Sequence, residues 1–132
     1  MRRLLPTALL MWLALPGCAD VDRDLPRPYR TTDVPAARLA SDAARSKGRV
    51  LFLEHCALCH GDRGDGQGLR REGLSQPPRN FTNRTWQENT SPRRVFFAIR
   101  EGVEGTAMPA WKSLSTDDAW DLTAYVLSLG ER

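Results

Sequence analysis

Two cysteines and a histidine stand close together near the middle of the chain, as Cys56-Ala57-Leu58-Cys59-His60. A Cys-x-x-Cys-His pattern is the attachment signature of haem c. Thiols three positions apart at a helix end can add to the two vinyl groups along one edge of a haem, and the imidazole of His60 then faces the iron as its proximal ligand. The pattern therefore predicts one covalently attached haem c per chain.

Three other chemistries also use closely spaced cysteines. A disulfide between Cys56 and Cys59 suits an oxidising compartment but leaves His60 without a role. A zinc site needs about four ligands, and the chain contains only three cysteines and two histidines. A thioredoxin-type redox pair belongs in a βαβ unit, which the sequence does not indicate. Haem attachment is favoured, and the alternatives stay open at this point.

A second axial ligand would close the iron to other molecules. His55 precedes His60 by five residues on the same predicted helix, so it cannot reach the opposite face of the haem. Two of the three methionines lie within the first eleven residues, which leaves Met108. Met108 lies in a Gly- and Pro-bounded segment that is typical of a turn, where a methionine is poorly placed to fill a core. We expect His60 and Met108 to ligate the iron; the alternative is a methionine that only packs.

The chemistry-bearing residues follow one another in a familiar order. Cys56-x-x-Cys59-His60-Gly61 is followed by Asp65-Gly66-Gln67-Gly68, by Met108-Pro109 and by Ala124-Tyr125-Val126-Leu127-Ser128-Leu129. In this order the chain resembles a single-haem class I cytochrome c over about residues 44–129. The resemblance implies an all-α fold in which three to four helices surround one covalently attached haem c.

The resemblance also implies two supporting roles. In the family a proline carbonyl accepts a hydrogen bond from the proximal imidazole and orients it; here we take Pro78 as that contact, although the sequence does not decide between it and Pro77. A Gly–aromatic pair, here Gly48 and Phe52, lets the first and last helices cross closely. These two residues are four apart and so share one helix face. A glycine inside a helix costs up to about 1 kcal/mol, which favours a packing role.

Capping signals predict where the helices lie. The first helix is expected over residues 42–59, and residues 61–68 are expected to form a loop because they are rich in Gly and Asp. A Ser-Pro pair predicts the start of a later helix, and capping-box spacing marks two further starts. The predicted N-caps are Ser41, Thr85, Ser91 and Ser115, and the predicted terminating glycines are Gly102 and Gly130. No strand pattern is present, so the predicted fold is all-α.

The first 17 residues have the three parts of a secretory signal, with Arg2 and Arg3 before an apolar run that is too short to span a membrane. Leu15-Pro16-Gly17-Cys18 resembles the lipobox of bacterial lipoproteins, which implies cleavage before Cys18 and acylation of its thiol; simple secretion and a free thiol in an uncleaved leader are the alternatives. Residues 19–41 are expected to form a flexible tether or, alternatively, a poorly ordered arm packed on the domain. The predicted organisation is a signal peptide (1–17), a lipidated N-terminus and tether (18–41) and a cytochrome c domain (42–132).

Composition excludes several classes of protein. With 132 residues and 27% charged side chains, the chain predicts one small globular domain. The net charge of +3 is close to balanced once the leader arginines are set aside, so nucleic-acid binding is not indicated. Arginines dominate residues 70–100 and acids dominate residues 101–131. This asymmetry would orient a charged redox partner, unless folding mixes the charges evenly.

Three functions remain compatible with these residues. The first is a membrane-tethered, periplasmic electron carrier that passes one electron between redox protein partners, because a haem with two protein ligands has no open position for a substrate. The second is a fixed haem c subunit of a larger respiratory oxidoreductase. The third, least favoured, is a ligand-binding or peroxidatic haem protein in which Met108 is labile, since no distal His or Arg pair is evident.

Overall fold

The computed structural model describes residues 20–131, and all the regular secondary structure in that range is helical, which confirms the all-α expectation. The predictions for the leader and for Cys18 fall outside the described residues. The helices are α1 (Arg27–Arg30), α2 (Ala36–Leu39), α3 (Asp42–His55), α4 (Ala57–His60), α5 (Arg84–Glu88), α6 (Pro92–Glu101) and α7 (Thr116–Ser128), followed by a 3-10 turn (Leu129–Glu131). Between Asp20 and Glu131, none of these helices is both long and apolar enough to cross a membrane.

Helices α3 and α7 cross in close contact at Gly48. A Cβ atom placed on Gly48 would lie 2.0 Å from the carbonyl oxygen of Asp121 and 2.9 Å from the Cβ of Tyr125. One turn along α3, the fully buried ring of Phe52 lies 5.2 Å from the ring of Tyr125, centroid to centroid. The predicted Gly–aromatic pair therefore sits at the crossing, and its glycine removes the side chain that would hold the two backbones apart.

Most helix boundaries follow the predicted caps. The side chains of Ser41, Ser91 and Ser115 each accept a backbone N–H bond three residues on, as N-caps do. Gly102 ends α6 with a φ of 75°, a conformation that glycine adopts without strain. The prediction that Gly130 ends α7 is wrong, because α7 ends two residues earlier and Gly130 lies within the 3-10 turn.

Two other boundaries were also predicted wrongly. The N-cap of α5 is Asn83 rather than Thr85: its amide oxygen accepts the N–H of Trp86 at 2.9 Å, so the helix starts before the capping box that the sequence suggested. The helix expected over residues 42–59 is interrupted at Cys56, whose φ of −116° ends α3 and begins α4. The break turns the Cys-x-x-Cys-His segment onto a short helix of its own.

Residues 20–41, the N-terminal arm, pack against the domain. Leu25 and Asp22 are buried, and the Asp22 carboxylate accepts a hydrogen bond from Ser91 and pairs with Arg93 at 3.4 Å. The ring of Tyr29 lies edge-on to Phe97 with centroids 4.8 Å apart. These contacts are those of an arm packed on the domain, which the sequence left open beside a tether.

The far end of the arm is joined to α7 by a buried carboxylate. Asp121 is 3% exposed, and it receives Arg38 of α2 at 2.7 Å and Lys47 of α3 at 3.6 Å. The same lysine pairs with Asp118 at 2.5 Å, which lowers the pKa of that carboxyl. Arg38 and Lys47 thus neutralise acids of α7, and folding reduces the charge asymmetry seen in the sequence.

Candidate functional site

Helix α4 gathers the two thiols and the imidazole within one turn. The carbonyl oxygen of Cys56 accepts the backbone N–H of Cys59 at 3.1 Å and that of His60 at 2.9 Å. Both cysteines are free thiols and half-buried, while His60 is 9% exposed. The side chains required for covalent attachment and proximal ligation therefore lie next to one another on a single rigid turn.

A glycine-rich loop supports this turn from behind. The N–H of Gly66 donates to the carbonyl of His60 at 2.8 Å, and the N–H of Gly68 donates to that of Cys59 at 3.2 Å. A Cβ on Gly68 would lie 2.4 Å from the Cys59 carbonyl oxygen, so only glycine allows this approach. The loop predicted from the Gly and Asp content of residues 61–68 thus fixes the backbone of the two site residues.

The imidazole of His60 is held on two sides. Its Nδ1 donates to the carbonyl oxygen of Arg79 at 3.0 Å, and its ring stacks on Phe81 with centroids 4.5 Å apart. A carbonyl only accepts, so the proton must be on Nδ1 and the lone pair on Nε2. Burial lowers the pKa of His60, which favours the neutral, ligating form. A histidine fixed in this way is typical of a metal ligand.

The prediction that the Pro78 carbonyl accepts the hydrogen bond from His60 is wrong. The Pro78 carbonyl instead faces Gly66, where a Cβ would lie 2.8 Å from its oxygen. Successive carbonyls of an extended chain point to opposite sides, so that the next one, on Arg79, reaches the imidazole. The sequence placed the contact one residue too early, and neither Pro78 nor Pro77 supplies it.

The site residues fit an attached haem in their chemistry. Among the described residues, every fully buried side-chain nitrogen or oxygen has a hydrogen-bond partner. Nε2 of His60 has no such partner, so this atom is not fully buried and can be reached from outside the protein core. Burial, reinforced by the neighbouring Cys59, raises the pKa of the Cys56 thiol to about 12. A thioredoxin-type pair needs a thiol with a lowered pKa, so the environment of Cys56 argues against that alternative.

The zinc alternative also lacks structural support. Over residues 20–131, no three His, Cys, Asp or Glu side chains are arranged to hold a metal ion. His55 ends α3 with its ring 5.0 Å from that of Trp111, centroid to centroid. It thus packs beside the loop that follows α6 and belongs to no ligand cluster in this part of the chain.

Met108 lies in a tightly closed loop between α6 and α7. Its carbonyl accepts the N–H of Val103 at 3.3 Å, and its own N–H donates to Thr106 Oγ1 at 3.2 Å. A Cβ on Gly102 would lie 2.7 Å from the Met108 carbonyl oxygen, so the loop closes on a glycine. The side chain of Met108 is half-buried on this fixed backbone, as a ligand held in place by its loop would be.

Apolar side chains are exposed beside the two cysteines. Leu58 is 49% exposed and Leu69 is 93% exposed. The N–H of Arg70, the residue after Leu69, donates to the Leu58 carbonyl at 2.9 Å and brings the two segments together. Arg70 and Arg71 are exposed next to them. The surface around the attachment turn is therefore apolar with a charged border.

A family model described as cytochrome C oxidase, cbb3-type, subunit III matches residues 43–126, a range that includes the attachment turn and the Met108 loop. The chain belongs to this family of cytochrome c domains. Membership implies a covalently bound haem c and a role in electron transfer, which the site geometry independently accommodates.

Curated relatives share about a third of their residues with this cytochrome c domain. They include a thiosulfate dehydrogenase of Stutzerimonas stutzeri, 32% identical over 92% of this chain and 38% of the relative. A cbb3-type cytochrome c oxidase subunit FixP of Bradyrhizobium diazoefficiens is 34% identical over 70% of this chain and 29% of that protein. The chain thus spans about a third of the length of these relatives.

Solved structures that share about a third of their residues with this chain have a similar fold. One belongs to the reducing HAO-like protein complex of Kuenenia stuttgartiensis, with a TM-score of 0.61 and 32% identity over 67% of this chain and 44% of that one. Another is the c-type cytochrome KustC0563, with a TM-score of 0.53 and 34% identity over 62% of this chain and 95% of that one. The first is part of a protein complex and the second is a c-type cytochrome, and both resemble this chain in fold.

Sequence reasoning missed two residues that position the proximal imidazole. The carbonyl of Arg79 carries no signal in its side chain, so residue type could not reveal it. Phe81 was detectable in principle, since it is the one aromatic residue between the attachment motif and Trp86. It packs on His60 and, at 5.2 Å between centroids, on Trp86.

Proposed function

We propose that this cytochrome c domain carries single electrons through one haem c that is attached to Cys56 and Cys59 and ligated by His60 and Met108. The observation that supports this best is the 3.0 Å contact between His60 Nδ1 and the Arg79 carbonyl oxygen, because this contact leaves Nε2 available as a ligand. Bound in this way, haem c supplies an iron that takes up and releases one electron with little rearrangement.

The protein's own residues would hold the two proposed ligands, His60 and Met108, in place. The Arg79 carbonyl orients His60, and the bonds at both ends of the Met108 residue hold the loop that would bring its sulfur to the distal side. Ligation by His and Met raises the reduction potential relative to two histidines. A ligand-binding or peroxidatic role would require this loop to open.

A mobile carrier is the first form of this function. Partners of small carriers dock weakly through surfaces that combine apolar contact with salt-sensitive charge. The exposed Leu58 and Leu69 with Arg70 and Arg71 beside them have this character, and we propose that redox protein partners meet the domain there. A fixed subunit of a respiratory oxidoreductase is the second form. The cbb3-type oxidase subunits among the relatives favour it.

The ligand assignment is tested by optical spectra of haem-loaded protein. Oxidised wild type should show the weak long-wavelength band of iron–methionine ligation, and Met108→Ala should lose it and become high-spin or take up added imidazole. Val103→Ala in the same loop is the control and should keep the band. A high-spin spectrum in wild type, or an unchanged band in Met108→Ala, would exclude Met108 as ligand.

We further propose that the protein is exported and anchored on the periplasmic side of a membrane through lipid on Cys18, because the lipobox-like segment precedes an otherwise unexplained cysteine. Two or more acyl chains give stable anchoring. Mass spectrometry of protein purified from membranes should show an N-terminal acylated Cys18 at the start of the mature chain. Cys18→Ser should be released in soluble form, and membrane retention of that variant would refute the anchor.

A further inference from the structure

The N-terminal arm is fastened to α6 almost from its first described residue. The carbonyl of Val21 accepts a bond from Arg94, Asp24 pairs with the same arginine, and Arg93 Nε donates to the Thr32 carbonyl at 2.9 Å. Asp22 is buried beneath them, as described above. The chain between Asp20 and the haem domain therefore has little freedom to act as a spacer.

We propose that the arm holds one face of the domain against an anionic phospholipid surface and presents Arg23, Arg27 and Arg30 to the lipid phosphates. The orienting part of this inference rests on the lipid anchor proposed at Cys18. Two separate arguments carry it, the separation of only two residues in sequence between Cys18 and Asp20 and the charge of the arm's exposed side chains.

The distance follows from covalent geometry alone. Cys18 precedes Asp20 by two residues, and an extended chain advances at most about 3.6 Å per residue, so the two Cα atoms lie within roughly 7 Å of each other. A flexible tether over residues 19–41 would instead have a mean reach of roughly 25–30 Å. An anchor at Cys18 would consequently hold the packed arm, and not a distant domain, at the membrane surface.

The exposed charges on the arm are arranged as one basic group. Arg27 and Arg30 are three residues apart on α1, and Arg30 Nη1 donates to the carbonyl of Arg23 at 3.1 Å. All three side chains are exposed, and within the described part of the chain none of them forms an ion pair. The guanidinium groups of Arg23 and Arg27 and the remaining N–H groups of Arg30 are therefore available to phosphate, which arginine binds in bidentate geometry.

The acids of the arm offset this group only in part. Asp22 and Asp24 are paired with the α6 arginines, so their charges are already matched within the protein. Asp20 and Asp33 remain as exposed acids, and Asp20 accepts the N–H of Asp22 at 3.0 Å. The aromatic ring of Tyr29, between Arg27 and Arg30 in sequence, packs inward on Phe97 and leaves the arginines on the outside.

The charge component is tested without the anchor, on haem-loaded Cys18→Ser protein. Binding to vesicles of phosphatidylglycerol and phosphatidylcholine should exceed binding to phosphatidylcholine alone and should weaken with salt. A basic residue near an anionic membrane surface contributes about fivefold in partition, so neutralising all three should cost about a hundredfold. The test variant is Arg23→Gln/Arg27→Gln/Arg30→Gln, and the matched control is Arg63→Gln/Arg70→Gln/Arg71→Gln.

The orientation is tested on the acylated holoprotein in the same vesicles. With Cys18 acylated and Cys56 and Cys59 bonded to haem, a single cysteine added at Thr31 or at Ser75 can be spin-labelled selectively; both positions are exposed. Nickel-chelating lipid headgroups should relax the label at residue 31 several-fold more than the label at residue 75. A ten-residue Gly-Ser insertion before Asp20 should reduce that difference.

Each outcome decides one of the two proposals. Equal relaxation at the two labels in protein with a confirmed acyl chain, or equal vesicle binding by the two triple variants, would overturn the membrane-facing arm. An unmodified Cys18 in the mature chain would overturn the proposed anchor, and the vesicle-binding comparison would still decide whether the arginine surface binds anionic lipid.

Discussion

Replacing Gly48 by alanine should destabilise the domain even though alanine is the better helix former. In the middle of a helix the change from glycine to alanine gains about 1 kcal/mol from propensity. At this position, however, the new methyl carbon would lie 2.0 Å from the carbonyl oxygen and 2.6 Å from the carbonyl carbon of Asp121. Both of those atoms belong to the backbone of α7, so they cannot move aside as a flexible side chain would.

The size of the effect follows from how far the helices must separate. An ordinary contact of this kind is about 3.4 Å or longer, so relief of the clash requires a local shift of more than an ångström between α3 and α7. Such a shift loosens the contacts of Phe52 and Leu122, which are fully buried. Overpacking typically costs 1–3 kcal/mol. Because the contact is with backbone, we expect a cost at the upper end of that range, which leaves a net loss of about 2 kcal/mol after the propensity gain of about 1 kcal/mol.

The assay is urea or thermal unfolding of haem-loaded protein, followed by circular dichroism. A loss of about 2 kcal/mol corresponds to a fall in Tm of roughly 8–16 °C for a domain of this size. Ser46→Ala, at an exposed position two residues earlier on the same helix, is the control and should change stability little. Unchanged or increased stability of Gly48→Ala would refute the close approach of the two backbones.

Two further perturbations test the packed arm. Asp22→Ala leaves Ser91 and Arg93 without their buried acceptor and should lower the free energy of unfolding, measured in urea, by about 1–3 kcal/mol. The control Asp33→Ala, at an exposed site, should be nearly neutral. Equal effects of the two substitutions would contradict a buried Asp22. Burial and the hydrogen bond to Glu101 raise the pKa of Tyr29 from 10.0 to about 12. The folded state therefore favours the neutral phenol, and this contribution to stability is complete below pH 10 and is lost as the pH rises towards 12. Tyr29→Phe should show a shallower loss of urea stability over that interval than wild type, and parallel pH profiles would count against the Tyr29–Glu101 contact.

The position of the arm gives these predictions a functional context. Its contacts reach α6 through Asp22 and α7 through Arg38, the two helices on either side of the Met108 loop. The arm thus ties the N-terminal end of the described chain to the two helices that flank the proposed ligand Met108. Loss of the arm would be expected to loosen that loop, which the long-wavelength band of the Met108 experiment would report.

The sequence by itself determined the parts of this protein that depend on near neighbours. The attachment motif needs only the order of five residues. The N-caps at Ser41, Ser91 and Ser115 depend on a bond to the backbone three residues on, so residue type and spacing were sufficient to find them. The helical content was also accessible from the capping signals, and the role of Gly48 was implied by the resemblance to class I cytochromes c and favoured by the cost of a glycine inside a helix.

The tertiary structure decided the features that depend on distant residues or on backbone direction. The proximal acceptor is the carbonyl of Arg79 because the chain direction after Pro78, and no side chain, determines which oxygen faces His60. The arm packs because an isolated residue such as Asp22 finds its partners Ser91 and Arg93 about 70 positions away, and single contacts leave no periodic signal. Local patterns specify local structure, whereas long-range pairing becomes visible only when the folded chain brings the partners together.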